Sequence, residues 1–127
     1  MKRIISFFAV ILISLAGLTA YAKGAEMTFE EKTHDFGTIK EADGAVSYTF
    51  KFTNTGDEPL VIINVNASCG CTRPEYSKEP IKPGKTGTIK VTYNPAGRPG
   101  EFNKDVKIRT NTSTRPILKI SGTVIPK

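Results

Sequence analysis

Between Ala45 and Asn54 the chain alternates without a slip: Val46, Tyr48, Phe50 and Phe52 fall on one side, Ser47, Thr49, Lys51 and Thr53 on the other. Successive side chains of a strand point to opposite faces, so this segment reads as a strand with one buried and one wet face. The same period recurs down the chain between turn residues. Leu60 to Ser68 follows the turn Asn54-Thr55-Gly56-Asp57 and sets Val61, Ile63, Val65 and Ala67 on its predicted inner face. Thr86 to Asn94 points Ile89, Val91 and Tyr93 inward, Glu101 to Thr110 points Phe102, Val106 and Ile108 inward with Lys104 interrupting, and Pro116 to Val124 does so with Leu118, Ile120, Gly122 and Val124. At the front, Met27 to Glu31 and Thr33 to Phe36 read as two pieces of one edge strand separated by a charged kink, and the text between Cys69 and Pro83-Gly84 is irregular. Strands at this spacing, without an apolar stripe at helical period, predict an all-β fold: an immunoglobulin-like two-sheet β-sandwich of about seven strands. An antibody-type domain is excluded, because its cysteines lie on distant strands beside a tryptophan; here the two cysteines are two positions apart and tryptophan is absent.

The N-terminus obeys a different rule. Lys2 and Arg3 precede the apolar run Ile4 to Leu18, and Ala20-Tyr21-Ala22 follows. This is the pattern of a secretory signal peptide, residues 1–22, cut before Lys23. The run is shorter than the roughly 20 residues that span a bilayer, and no later run replaces it. The expected product is an exported, periplasmic or secreted domain over 23–127, with no stable membrane anchor after cleavage and no cysteine at the cut for lipid attachment. Its roughly 105 residues suffice for one independent core. Without Lys2 and Arg3 the 18 basic residues fall by two, against 12 acidic, and they are dispersed along the chain. That dispersion argues against a nucleic-acid partner, which calls for clustered Lys and Arg with interleaved aromatic residues.

His34-Asp35-Phe36-Gly37, Asn54-Thr55-Gly56-Asp57, Pro59-Leu60, Cys69-Gly70-Cys71-Thr72 and Pro80-Ile81-Lys82-Pro83-Gly84 together carry a resemblance. The chain resembles the bacterial family called domain of unknown function 1573, over nearly all of its length beyond residue 22. The resemblance implies a secreted, single immunoglobulin-like domain related to the sandwich modules of cilia- and centrosome-associated proteins and of major sperm protein. It carries no established activity, and a fold alone cannot supply one.

Cys69 and Cys71 are the pair most in need of explanation, with Gly70 and Thr72 as the loop that supports them. In an exported chain an even cysteine count points to a disulfide. Closing so short a loop removes little unfolded-state entropy, worth about 1.6 kcal/mol, and Gly70 is expected to ease the bond by turning through positive φ. Three chemistries fit the pair: a structural disulfide or two buried thiols closing a strand end, an oxidising disulfide that exchanges with partner thiols, or a Cu(I) site with His34 as third ligand. On an edge strand His34 and Asp35 are expected to order a turn by hydrogen bonding rather than to perform acid–base work.

No nucleophile is paired with a base, and Ser68 lacks the glycines of a nucleophile elbow. Glu30-Glu31 and Asp57-Glu58 fall at turns, where solvation accounts for them. Asn66-Ala67-Ser68 and Asn111-Thr112-Ser113 match the glycosylation pattern, which is short and frequent by chance. The chain therefore reads as a non-enzymatic protein-interaction or structural module that pairs an exposed edge strand with an unidentified protein partner, without a cofactor. The alternative is a periplasmic thiol-redox or Cu(I)-binding protein that uses the Cys-Gly-Cys motif.

Overall fold

The computed structural model describes residues 24–127; the proposed signal segment lies outside them. The alternating segments become strands: β1 (Met27–Phe29), β2 (Thr33–Lys40), β3 (Val46–Asn54), β4 (Ile62–Ala67), β5 (Thr72–Tyr76), β6 (Thr86–Tyr93), β7 (Gly100–Thr110) and β8 (Ile117–Ile125). A 3-10 turn, Glu41–Asp43, interrupts them. One sheet has the order β1-β3-β6-β5 and the other β2-β8-β7-β4. This is the immunoglobulin-like sandwich, with β1, β3, β6 and β5 as one layer and β2, β8, β7 and β4 as the other.

The core lies between the layers. Phe50, Phe52, Ile89, Val91 and Tyr93 from the first sheet meet Phe102, Val106, Ile108, Leu118, Ile120 and Val124 from the second, all buried. The alternation favours this, since the inward residues of β3, β6 and β8 are mostly apolar and their outward residues mostly polar. Tyr93 and Phe102 stack across the interface at 3.9 Å between centroids. Lys104, at the inward phase of β7, is half-buried in the middle of that strand.

The structure departs from the sequence reading in four places. The two front pieces do not form one edge strand: β1 pairs antiparallel with β3, whereas β2 pairs parallel with β8 and runs on to Lys40. The charged kink is the point at which the chain crosses from one sheet to the other. Second, the irregular stretch after Cys69 contains β5, antiparallel to β6, which raises the strand count among the described residues to eight. Its Pro74 hides it from a periodicity reading, yet proline is tolerated on a sheet edge.

Third, β4 does not keep Val61 and Ile63 inward. The register shifts between Ile62 and Asn64, Ile62 is buried and Ile63 is 54% exposed. An extra residue at a bulge inverts the phase, so that Leu60 and Ile62 face the core before it and Val65 and Ala67 after it. Finally, the glycines at positive φ do not include Gly70. The corner at Gly70 is made with ordinary backbone, and the space where a Cβ would stand is open.

Candidate functional site

The second sheet's strand β4 ends at Ala67 and the first sheet's strand β5 begins at Thr72, so Ser68 to Cys71 form the corner by which the chain changes layers. Two residues of extended chain span roughly 6.8 Å, whereas the Cα atoms of Cys69 and Cys71 are 5.3 Å apart. The chain bends there, and the two sulfurs are bonded as a disulfide. Thr72 N–H donates to the Cys69 carbonyl at 3.3 Å, Asn94 N–H donates to the Cys71 carbonyl at 2.8 Å, and Cys71 N–H points at Cys69 Sγ at 3.2 Å. The Thr72 hydroxyl packs against both sulfurs, 3.6 Å from Cys71 and 4.0 Å from Cys69. Cys71 is 6% exposed and Cys69 is half-buried.

Ala45, Gly70, Cys71, Arg73, Thr92 and Asn94 line a recess of about 270 Å³ beside this corner. None of them is a carboxylate or an imidazole. Arg73 is the one cation of this lining, the type of group that favours a thiolate, and it also lies 3.9 Å from Glu75 in an exposed pair.

His34 lies elsewhere. It aligns with Ile120 on β8, Ile120 aligns with Lys104 on β7, and the corner follows β4 beyond that. Three strand spacings, roughly 14 Å, separate it from the cysteines. The expected third ligand is therefore not brought to the pair, and no group of three His, Cys, Asp or Glu side chains converges among the described residues. Nor does His34 order a turn: its ring stacks on Tyr48 of the opposite sheet and meets Phe36 edge-on. Asp35 does order one, as expected, accepting from Gly37 N–H at 2.8 Å.

The remaining candidates are the sheet edges, because neither sheet closes on itself. An open edge presents unpaired N–H and C=O groups, and proteins blunt it with short strands, bulges, charge or proline. Strand β1 has three residues. Strand β2 carries a register break between Asp35 and Thr38.

On β5 the Cys71 carbonyl points toward β6. Residues alternate in the side to which their backbone groups point, so Arg73 and Glu75 face β6 and Pro74 faces out. Its ring removes the central donor of that edge.

Strand β4 has no such block in its second half. Ile108 N–H donates to Pro116 across β7 and β8, and Ser68 N–H donates to the Asp105 carbonyl. Lys107 and Arg109 therefore turn their backbone groups to Asn66 and Asn64, their partners in register, and Val65 and Ala67 turn theirs to the open side. Sequence alternation could not locate this edge, because the bulge that sets its phase and the neighbours that leave it open are tertiary features.

Several solved structures share this architecture. A protein of unknown function from Porphyromonas gingivalis W83 is 18% identical, with a TM-score of 0.70, over 84% of this chain and 50% of its own. A PapD-like domain of human CEP192 is 13% identical, with a TM-score of 0.62, over 87% of this chain and 92% of its own. The YadV chaperone is 14% identical, with a TM-score of 0.56, over 77% of this chain and 51% of its own. Proteases and glycoside hydrolases share the fold over 19% to 31% of their own lengths. This chain thus spans about half or less of these longer proteins, and at these identities the likeness is one of fold. No curated protein matches it in sequence. Residues 27–124 match the family described as Protein of unknown function (DUF1573), and the chain is a member of that family.

Proposed function

We propose that this chain is an exported, non-catalytic immunoglobulin-like module that binds another protein through the backbone of an open sheet edge. The observation that carries the reading is the unblunted second half of β4, where Val65 and Ala67 present outward backbone groups. An edge of this kind recruits an extended segment by strand addition. The PapD-like and chaperone neighbours support an interaction role for the fold. Export rests on residues 1–22, and intact mass of the exported protein is expected to begin at Lys23. The disulfide acts as a clamp on the corner that places β4 and β5 in different layers.

The test is photo-crosslinking in the expressing cell from one outward position on each edge: Thr28, Asp35, Asn66 and Glu75. Thr49, in the middle of the first sheet, serves as control. Adducts with a second protein from an edge position, absent from Thr49 and retained when Cys69→Ser is combined with Cys71→Ser, are the expected result. No adduct from any edge overturns the reading. An adduct that needs the thiols and is released by reductant replaces it with the thiol-redox alternative.

A further inference from the structure

Beside the open edge of β4, on the outer face of the same sheet, lies a groove of about 450 Å³ lined by Asn64, Asn66, Lys107, Ile108, Arg109, Arg115 and Ile117. Three of the seven are cationic. They come from two stretches of sequence, and the fold gathers them: Lys107 and Arg109 are the outward residues of β7, and Arg115 precedes β8. Among the described residues the ion pairs are Arg73 with Glu75 and Lys119 with Asp105, so these three cations take no carboxylate within salt-bridge distance. The Asn64 and Asn66 side chains stand between the cations and the open backbone of Val65 and Ala67.

From this juxtaposition we infer that the β4 edge and the groove form one site for an extended, acidic segment of a partner protein; the inference rests on the interaction reading above. A segment added to β4 runs about 4.8 Å from it and about twice that from β7. The reach is within the combined length of a glutamate and an arginine or lysine side chain. Residues facing outward on the added strand lie over Asn64 and Asn66 and toward Lys107 and Arg109, where carboxylates neutralise the unpaired cations. Residues of the other parity face the sandwich side, next to the half-buried Val65 and Ala67. The partner segment therefore alternates acidic with apolar residues. The backbone supplies pairing, and the cations set register and sign.

The experiment measures binding of a peptide of about seven residues that alternates glutamate with valine, to protein purified after export from cells expressing the full chain. Three comparisons accompany it: the same peptide with lysine for glutamate, the same peptide N-methylated on alternate amides, and a sulfated glycan such as heparin. Lys107→Glu combined with Arg109→Glu is the site variant, and Lys51→Glu combined with Lys90→Glu, both exposed on the other sheet, is the control. The acidic peptide is expected to bind, and to weaken about tenfold or more in the site variant and with rising salt, but not in the control. N-methylation of the amides that face β4 is expected to weaken it similarly, with the protein itself unchanged.

Absence of binding up to about 1 mM overturns the inference. So does binding that is indifferent to N-methylation while heparin competes for it, which assigns the groove to an anionic glycan. If cellular crosslinks form from edge positions other than Asn66 while the peptide fails, only this inference falls; if no edge gives a crosslink, the interaction reading falls with it.

Discussion

The imidazole of His34 lies flat on the ring of Tyr48, with centroids 3.7 Å apart and planes 10° from parallel. His34 belongs to β2 in one sheet and Tyr48 to β3 in the other, so the stack closes the side of the sandwich where the chain has just changed layers. Phe36 meets His34 edge-on at 4.6 Å, and Phe50 meets Tyr48 at 4.9 Å. Aromatic pairs of this kind contribute about 1 kcal/mol beyond area burial. A double-mutant cycle of His34→Ala and Tyr48→Ala in denaturant unfolding is expected to show a coupling near that value; a coupling of zero shows that the stack adds nothing to the fold.

Tyr48 also donates its hydroxyl to Glu31 Oε2 at 3.0 Å. That hydrogen bond, then partial desolvation, then the charges of Glu31 and Glu30, raise its pKa above the ordinary 10.0. The folded state therefore holds this proton more tightly than the unfolded chain does. The corresponding stability is complete below the unfolded pKa and is lost as pH rises through the folded one. In a tyrosinate absorbance titration the transition removed by Tyr48→Phe is expected above the ordinary range, and Glu31→Gln is expected to lower it. A transition unmoved by Glu31→Gln sinks the assignment.

Asn54 is fully buried, and its side chain is satisfied on both atoms. Nδ2 donates to the carbonyls of Glu58 at 2.7 Å and Ile81 at 2.9 Å, and Oδ1 accepts from Gly56 N–H at 3.0 Å and Glu26 N–H at 3.3 Å. One amide thus ties together the N-terminal segment, the turn after β3 and the loop before β6. Asn54→Asp sets a carboxylate oxygen against two carbonyls and is expected to cost about 3 kcal/mol in equilibrium unfolding. A cost below about 1 kcal/mol contradicts this account.

Gly56 packs without a side chain against the backbone of Gly24, Ala25 and Glu26, where an added Cβ collides with the Gly24 carbonyl oxygen and comes within 2.6 Å of the Glu26 nitrogen. Its φ is not in the left-handed region, so the requirement is for space alone. Gly56→Ala is expected to destabilise the protein by about 1–3 kcal/mol and to release residues 24–26 to faster amide exchange. Exchange unchanged in that segment overturns the packing argument.

The disulfide closes a loop too short to constrain the unfolded chain strongly. Cys69→Ser with Cys71→Ser is expected to keep the fold and lose about 1.6 kcal/mol or less. Alkylation of the wild-type protein purified from cells expressing the full chain, followed by intact mass, is expected to add no alkyl group until a reductant is supplied. Two groups added without reductant show free thiols and remove the clamp.

Composition and period two carried much of the architecture. The uninterrupted alternation of Val46 to Thr53 and of Thr86 to Tyr93 leaves one face apolar, and two such faces bury each other only as a sandwich. Turn residues between the runs marked most strand ends to within a residue or two. Asp35, whose carboxylate bonds two residues ahead, was equally legible, because that chemistry is local. Tertiary structure decided everything that depends on which strand lies beside which: the crossing from β1 to β2, the bulge that turns Ile63 outward, and the placement of Pro74 on an outer edge. It also decided that His34 stands three strands from the cysteines, and that Lys107, Arg109 and Arg115, dispersed in the sequence, share one groove. Alternation specifies the two faces of a strand and says nothing of its neighbours, since pairing is made by backbone groups that every residue carries alike.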